Sequence, residues 1–214
     1  MRFQDAREAG RALAAALGVY GRGGDAVVVA VARGGVAVGV EVSEGLGLPL
    51  DVLFLRRLLA TRGPLRPACA ASVAGAAFLD EEAAAALADE ACDAAFRQYV
   101  ESALAELDAL ARACRGPRPA RDLEGQTVIL VDNGVRTGST MLAAVRALRS
   151  RRPARVVAAA PVADASARDA VRAAVEEFHT LATPDPFGHV GLWYKDFRRP
   201  SDAEIHSMLL GRMK

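Results

Sequence analysis

Residues 127–140, TVILVDNGVRTGST, decide the predicted fold. The segment begins with a continuous apolar run, Thr127–Val131, which is typical of a strand buried on both faces of a parallel sheet. Met141–Leu148 has the spacing of a helix, so the polar residues 132–140 form a short strand-to-helix turn. In open α/β sheets such turns lie at the carboxyl ends of the strands, where ligands bind.

The alternation of buried strand and amphipathic helix continues on both sides of this segment. Further strands are predicted at Ala26–Val31, Asp51–Leu55, Arg155–Val162 and Phe178–Leu181, and helices at Asp5–Leu17, Val36–Leu46, Ala165–Val175 and Asp202–Leu210. Strands that alternate with helices predict an α/β fold, with a central and mostly parallel sheet flanked by helices.

Two regions break this alternation. Residues 59–78 are interrupted by glycine and proline and have no clear period, which predicts a mobile loop. Residues 80–113 are rich in alanine and predict two helices or one bent helix. The pieces on either side of the connector 116–119 are too small for separate cores, so residues 1–214 are predicted to form a single domain.

The turn 136–140 has the composition of an anion site at the start of a helix. Its backbone N–H groups and its Ser and Thr hydroxyls can point at an oxyanion, and Gly138 lets the backbone approach closely. Asp132 can accept hydrogen bonds from the hydroxyls of the molecule that carries the anion. The segment therefore predicts a sugar-phosphate site; the competing interpretation is an ordinary polar turn with Asp132 as a capping residue.

The overall composition argues against several classes of function. The 214 residues include 27 Lys and Arg and 26 Asp and Glu, and this balance argues against nucleic-acid binding by phosphate neutralisation. Cys69, Cys92 and Cys114 lack metal-site spacing, which favours a reducing compartment. The apolar stretch 26–42 is interrupted by Arg33 and is too short to span a membrane. We therefore expect a cytoplasmic protein without membrane or nucleic-acid partners.

Residues 128–140 resemble the signature of the type I phosphoribosyltransferases: four apolar residues, two acidic residues, a short variable stretch that includes two apolar positions, and then T-G-x-[ST]. Residues 28–36, VVAVARGGV, are similar to the pyrophosphate loop of that family, where a strand ends in a basic residue followed by glycines. Residues 50–58 and 190–197 extend the resemblance, which is strongest to small stand-alone bacterial members of unassigned acceptor.

The resemblance implies a type I phosphoribosyltransferase fold with a small hood, formed by about residues 184–200, and a mobile loop that closes over the site. It implies transfer of a 5-phosphoribosyl group from phosphoribosyl pyrophosphate to a small acceptor. Mg²⁺ is the implied cofactor and would bridge pyrophosphate and ribose oxygens. Family members commonly pair, so a homodimer is expected.

The resemblance also implies roles for residues at the matched positions. Asp132 and Asn133 would face the ribose hydroxyls, with Asp132 reaching the metal through water. Arg33, Gly34 and Gly35 would bind the pyrophosphate, and the Ala32–Arg33 peptide bond would be cis. The implied catalytic residues are Asp132, Asn133 and Arg33. The 5-phosphate would be cradled by Arg136, Thr137, Gly138, Ser139 and Thr140.

Three further candidates have competing interpretations. Arg57 is the predicted substrate-binding member of the pair Arg56 and Arg57, and the alternative is a surface pair. Trp193 and Tyr194 could stack on a planar acceptor, and the alternative is that they pack in the core.

The sequence departs from the family pattern in three places. Asn133 stands where a second carboxylate is usual, so it can bond a hydroxyl but supplies no negative charge. Arg136 stands where purine-specific relatives carry a carboxylate, which argues against a purine acceptor and is compatible with an anionic one. Residues 58–65, LLATRGPL, replace a glycine-rich segment that ends in glutamate in the relatives.

The leading hypothesis is a Mg²⁺-dependent phosphoribosyltransferase acting on a small, non-purine acceptor. One alternative is a non-catalytic protein of the same fold that senses a ribose phosphate and regulates a partner, an alternative favoured by Asn133 and the altered loop. Another is an enzyme that cleaves phosphoribosylated compounds with phosphate or water at the same anion site.

Overall fold

The computed structural model describes residues 2–21, 25–58, 68–89, 92–116 and 119–210. The strands in this part of the chain are β1 Ala26–Val31, β2 Leu50–Leu58, β3 Ala68–Val73, β4 Ala76–Leu79, β5 Thr127–Val131, β6 Arg155–Val162 and β7 Glu177–Ala182. The helices are α1 Ala6–Ala16, α2 Val36–Leu46, α3 Glu81–Ala88, α4 Ala94–Arg115, α5 Ser139–Arg149, α6 Ala165–Arg172 and α7 Asp202–Leu210, with short 3₁₀ helices at Gly18–Gly21 and Val190–Trp193.

The strands form a sheet in the order β4-β3-β2-β1-β5-β6-β7. The five strands β2, β1, β5, β6 and β7 run parallel, and β3 and β4 add to the β2 edge in the antiparallel sense. In the register, Val28 of β1 lies opposite Leu50 of β2 and Ile129 of β5. The predicted α/β fold with a mostly parallel sheet is confirmed.

Helices cover both faces of the sheet, which explains the continuous apolar composition of its central strands. On one face, Val28 and Ala30 of β1 pack in a core with residues of α1, α2, α4 and α7. On the other face, Val27 and Val29 pack with residues of α5 and α6. All six residues of β1 are buried.

Local signals in the sequence placed several helix ends correctly. Asp5 caps α1 by accepting the Glu8 backbone N–H at 2.8 Å. Gly47 ends α2 in the left-handed conformation, with φ of 67°, which costs little without a Cβ. The other predicted strands and helices are present, with ends that shift by a few residues.

The segment predicted as a mobile loop, 59–78, contains two strands. Residues 59–67 lie outside the described residues, but β3 and β4 form a hairpin through the turn at Ala74 and Gly75. Both turn residues have positive φ, 48° and 74°. The loop prediction was wrong for β3 and β4 because alanine has a low strand propensity, and pairing of β3 with β2 overrides that preference.

The alanine-rich region forms the two separate helices α3 and α4, one of the two predicted outcomes. Asp80 and Asp93 cap them, accepting backbone N–H groups of Ala83 and Ala95. In the apolar stripe of α4, Phe96, Val100 and Leu107 are buried, whereas Tyr99 and Leu104 are half-buried. Residues 117 and 118 of the predicted connector lie outside the described residues.

None of the helices in the described part of the chain combines the length and the apolar composition needed to cross a bilayer.

Candidate functional site

A cavity of about 1030 Å³ opens at the carboxyl ends of β1, β2 and β5. Neighbouring parallel strands bring the segments that follow them to the same sheet edge, which is where this class of fold binds ligands. Residues of α4 and of the segment 189–202 line the remaining sides. The lining residues with polar or charged side chains are Arg33, Arg56, Glu106, Asp132, Asn133, Arg136, Thr137, Thr140, His189, Arg199, Ser201 and Asp202.

The turn between β5 and α5 forms one wall of this cavity. Gly138 is the N-cap of α5 and has φ of 77°, a conformation that favours glycine. Without a side chain, Gly138 cannot cap the first N–H groups of the helix, so these donors are available to an anion. The hydroxyls of Thr137 and Ser139 lie 3.1 Å apart. Thr137 and Thr140 line the cavity, whereas Ser139 is not among its lining residues.

Asp132 follows β5 directly and lies in the cavity wall with little exposure. Its Oδ1 accepts the Asn133 backbone N–H at 2.7 Å. Burial raises the pKa of the Asp132 carboxyl to about 7, and that hydrogen bond and the charge of Arg199 only partly oppose the rise. The carboxyl can therefore gain or lose a proton near neutral pH, a property common at functional sites.

The loop after β1 packs against the segment that carries Asp132. The Ala32–Arg33 peptide bond is cis, as the resemblance implied. A Cβ at Gly34 would lie 2.7 Å from Nδ2 of Asn133. A Cβ at Gly35 would lie 2.7 Å from the Val131 carbonyl oxygen and 2.9 Å from Cα of Asp132. Glycine at both positions therefore allows the loop to approach the Asp132 segment closely.

Gly35→Ala is expected to lower the free energy of unfolding by about 1–3 kcal/mol, because the new methyl group would overlap backbone atoms that cannot easily move. Gly18→Ala is the matched control, because no described atom lies within 4 Å of a Cβ at that position. Its stability should be unchanged or slightly raised. Chemical denaturation of both variants provides the measurement, and equal stability of Gly35→Ala and the wild type would contradict this packing.

The structure places Arg56, rather than the predicted Arg57, in the cavity lining. Successive side chains of a strand point to opposite faces, so the side chains of Arg56 and Arg57 point away from each other. The Arg56 guanidinium forms an ion pair with Glu106 of α4 at 2.6 Å and lies 5.8 Å from the Tyr99 ring centre. Arg57 is exposed.

Trp193 and Tyr194, the two aromatic residues expected to stack on an acceptor, do not lie in the cavity lining. Tyr194 is buried against Phe3, and its hydroxyl donates a hydrogen bond to the Asn133 backbone carbonyl. Trp193 is half-buried and donates from Nε1 to the Phe187 carbonyl at 3.1 Å. Neither residue is in the cavity lining; Phe197, which packs on Tyr194, is. For Tyr194 the alternative of core packing describes the structure.

The cavity thus combines most of the predicted site residues and adds others. The predicted residues that line it are Arg33, Gly34, Asp132, Asn133, Arg136, Thr137, Gly138 and Thr140. Gly35, Arg57, Ser139, Trp193 and Tyr194 do not line it. Sequence reasoning missed Glu106, His189, Phe197, Arg199 and Asp202, which lie on α4 and in the chain end. Glu106 and Asp202 belong to no motif, because tertiary packing alone brings them to the cavity, whereas His189, Phe197 and Arg199 lie in the segment predicted as the hood.

The described residues contain no group of three or more His, Cys, Asp and Glu side chains that could hold a metal ion unaided. Asp132 and Asn133 nevertheless supply carboxylate and amide oxygens at the cavity wall. Mg²⁺ commonly keeps several waters and binds through one or two carboxylates together with substrate phosphates. The donor set therefore fits a Mg²⁺ ion that enters with a phosphorylated ligand.

A mostly parallel sheet with a cavity at the carboxyl ends of its strands defines an α/β protein of the class that binds ligands at that position. The family model of the phosphoribosyl transferase domain matches residues 4–196. The chain belongs to the phosphoribosyl transferase family.

Individual relatives agree with this membership. Two Mycobacterium tuberculosis proteins, from strains CDC 1551 and H37Rv, are named as phosphoribosyl transferases and are 36% identical over 215 residues. The alignments cover 97% of this chain and 46% of each relative, so the chain spans less than half the length of these curated relatives. The crystal structure of TT1426 from Thermus thermophilus matches with a TM-score of 0.77 and 33% identity, over 100% of both chains.

Proposed function

We propose that this chain is a phosphoribosyltransferase that transfers the 5-phosphoribosyl group of phosphoribosyl pyrophosphate to a small, non-purine acceptor and releases pyrophosphate. The observation that carries the proposal is the convergence of three elements on one cavity: the turn 136–140, the pair Asp132 and Asn133, and the loop that holds Arg33. These elements suit the phosphate, the ribose hydroxyls and the pyrophosphate of a single donor molecule.

The residues would act mainly by position and charge. The turn would hold the 5-phosphate, and Asp132 would accept hydrogen bonds from the ribose hydroxyls, which together orient C1 of the ribose. During transfer the bond between C1 and the pyrophosphate oxygen breaks, and its electron pair leaves with pyrophosphate. The acceptor forms the new bond to C1 from its lone pair and loses its proton. Arg33 would stabilise the charge on the leaving group.

Mg²⁺ is part of the proposal, as a cofactor that would neutralise the pyrophosphate charge. Asp132 would reach this ion through water, and Asn133 would bond a ribose hydroxyl. The charge of the cavity supports an anionic donor, because its described lining contains four arginines, Arg33, Arg56, Arg136 and Arg199, against three carboxylates.

The non-purine acceptor is supported by Arg136. This residue lines the cavity. The resemblance to the family implies that it stands where purine-specific relatives carry a carboxylate. A guanidinium has hydrogen-bond donors but no acceptor, so it cannot accept an N–H of a purine ring. It can instead pair with an acidic group on an acceptor, which favours acceptors that carry a carboxylate.

The proposal is tested by calorimetry and a pyrophosphate-release assay. Phosphoribosyl pyrophosphate with Mg²⁺ should bind in the micromolar to millimolar range, and a panel of bases, amines, phenols and their carboxylated forms should release pyrophosphate. Failure to bind the donor would reject the proposal. Binding without release from any acceptor would favour the second candidate, a ribose-phosphate sensor, which is the interpretation supported by the uncharged side chain of Asn133.

Asn133→Asp tests the enzyme hypothesis directly. The substitution restores a second carboxylate beside the ribose, and a negative charge there stabilises a positively charged transition state. We expect kcat to persist or to rise by up to about tenfold, measured as pyrophosphate release. Asn133→Ala is the matched variant and should lower kcat, because it removes the amide group that would bond a ribose hydroxyl. Loss of turnover in Asn133→Asp with intact donor binding would contradict the role assigned to this position.

A further inference from the structure

The guanidinium of Arg33 is already paired with a carboxylate at the cavity wall. Arg33 Nε donates to Oδ1 of Asp202 at 2.6 Å, and Nη2 donates to Oδ2 at 2.8 Å. This two-bond geometry uses the edge of the guanidinium that best matches a carboxylate or a phosphate. Both side chains are about half exposed, at 49% and 43%. The pair is therefore accessible to a ligand in the cavity.

Asp202 is held in place more firmly than Arg33. It is the first residue of α7, and that helix is anchored in the core by Ile205 and Leu209, which are both buried. Ser201 and Glu204 fix the start of the helix reciprocally: the Ser201 backbone N–H donates to Oε2 of Glu204 at 2.8 Å, and the Glu204 backbone N–H donates to Oγ of Ser201 at 3.3 Å. The backbone of Asp202 is therefore fixed at the rim and its side chain is short, whereas the longer Arg33 side chain has more freedom to change its partner.

On the basis of the proposed function, we infer that Asp202 competes with pyrophosphate for Arg33. The carboxylate and a pyrophosphate oxygen pair cannot occupy the same edge of the guanidinium together. Binding of the donor would exchange the Asp202 contact for a pyrophosphate contact, and Asp202 would recover Arg33 when the product leaves. Asp202 thus weakens binding of the pyrophosphate group and favours its release, a step that limits the rate of many enzymes.

This competition is specific to one end of the donor. The 5-phosphate site on the turn 136–140 does not involve Arg33, so ribose 5-phosphate binding should not depend on Asp202. Pyrophosphate and phosphoribosyl pyrophosphate should both bind more tightly when the Asp202 charge is removed. Asp202 would therefore set the relative affinity for ligands with and without a pyrophosphate group.

The test is calorimetric titration of the full chain with Mg²⁺ pyrophosphate, phosphoribosyl pyrophosphate and ribose 5-phosphate. Asp202→Asn keeps the side-chain shape and removes the charge. We expect two- to fivefold tighter binding of the two pyrophosphate ligands, the range given by a partly exposed ion pair, and unchanged binding of ribose 5-phosphate. Glu124→Gln is the matched control. Glu124 forms an exposed ion pair with Arg152 and lies just before β5, at the amino end of that strand, whereas the cavity opens at the carboxyl ends.

The Arg33→Ala background separates competition from a general charge effect. There Asp202→Asn should no longer change pyrophosphate affinity, and a persisting gain, or an equal gain in Glu124→Gln, would overturn the inference. Equal or weaker pyrophosphate binding by Asp202→Asn, with ribose 5-phosphate still bound, would overturn the inference and leave the proposed function standing. Absence of binding of all three ligands by the wild type would overturn both.

Discussion

Replacing Thr137 and Thr140 together with alanine is expected to weaken binding of ribose 5-phosphate and of phosphoribosyl pyrophosphate about 100-fold. Both residues line the cavity where the turn enters α5. A hydrogen bond to a charged group contributes about 1.5–3 kcal/mol, so the loss of two corresponds to roughly 3 kcal/mol. Calorimetric titration of both ligands measures the effect.

Ser150→Ala is the control for this experiment. Ser150 lies at the opposite end of the same helix, where its hydroxyl donates to the Ala147 carbonyl at 2.7 Å. Its ligand affinity should equal that of the wild type, and the fold of both variants can be compared by thermal melting. If the double alanine variant bound ribose 5-phosphate as tightly as Ser150→Ala, the turn would not be the phosphate site.

Asp132→Asn is expected to stabilise the ligand-free protein at alkaline pH. The pKa of Asp132 is raised by burial to about 7, whereas the unfolded chain has an aspartate pKa of about 3.9. At a pH below the pKa of the unfolded chain, the Asp132 carboxyl is protonated in both the folded and the unfolded protein. As the pH rises toward 7, the unfolded chain loses its proton first, so the wild type loses stability until the folded carboxyl also ionises.

The Asp132→Asn variant has no ionisable group at this position. Its free energy of unfolding, relative to that of the wild type, should therefore increase by up to roughly 4 kcal/mol between pH 4 and pH 8. Denaturation curves at several pH values in the absence of ligand measure the change. Asp164→Asn is the control of opposite sign. The Ser166 hydroxyl holds the pKa of Asp164 low, so the wild type gains stability as the pH rises toward the pKa of the unfolded chain, and the stability of Asp164→Asn relative to the wild type should fall over that range. Parallel pH profiles of the wild type and Asp132→Asn would contradict the burial effect.

The central strands could be predicted from the sequence because both of their faces are covered. β1 and β5 are unbroken apolar runs, and caps such as Asp5 and Gly47 mark helix ends by local geometry. The turn 136–140 could likewise be predicted, since its backbone donors and hydroxyls come from adjacent residues. In each case the relevant physical interaction lies within one short segment.

Features that depend on distant contacts could not be predicted. The hairpin of β3 and β4 is composed largely of alanine and depends on pairing with β2. The choice of Arg56 over Arg57 depends on which face of β2 lies beside Glu106 of α4. Arg33 and Asp202 are 169 positions apart in sequence, so only the folded structure brings them into contact.

A crystal structure of the protein with ribose 5-phosphate would show directly whether the turn 136–140 binds the phosphate. We expect phosphate oxygens within hydrogen-bond distance of the backbone N–H groups of residues 137–140, with the ribose hydroxyls beside Asp132. A ribose 5-phosphate molecule bound away from this turn, or a turn whose N–H groups are covered by side chains of the protein, would contradict it.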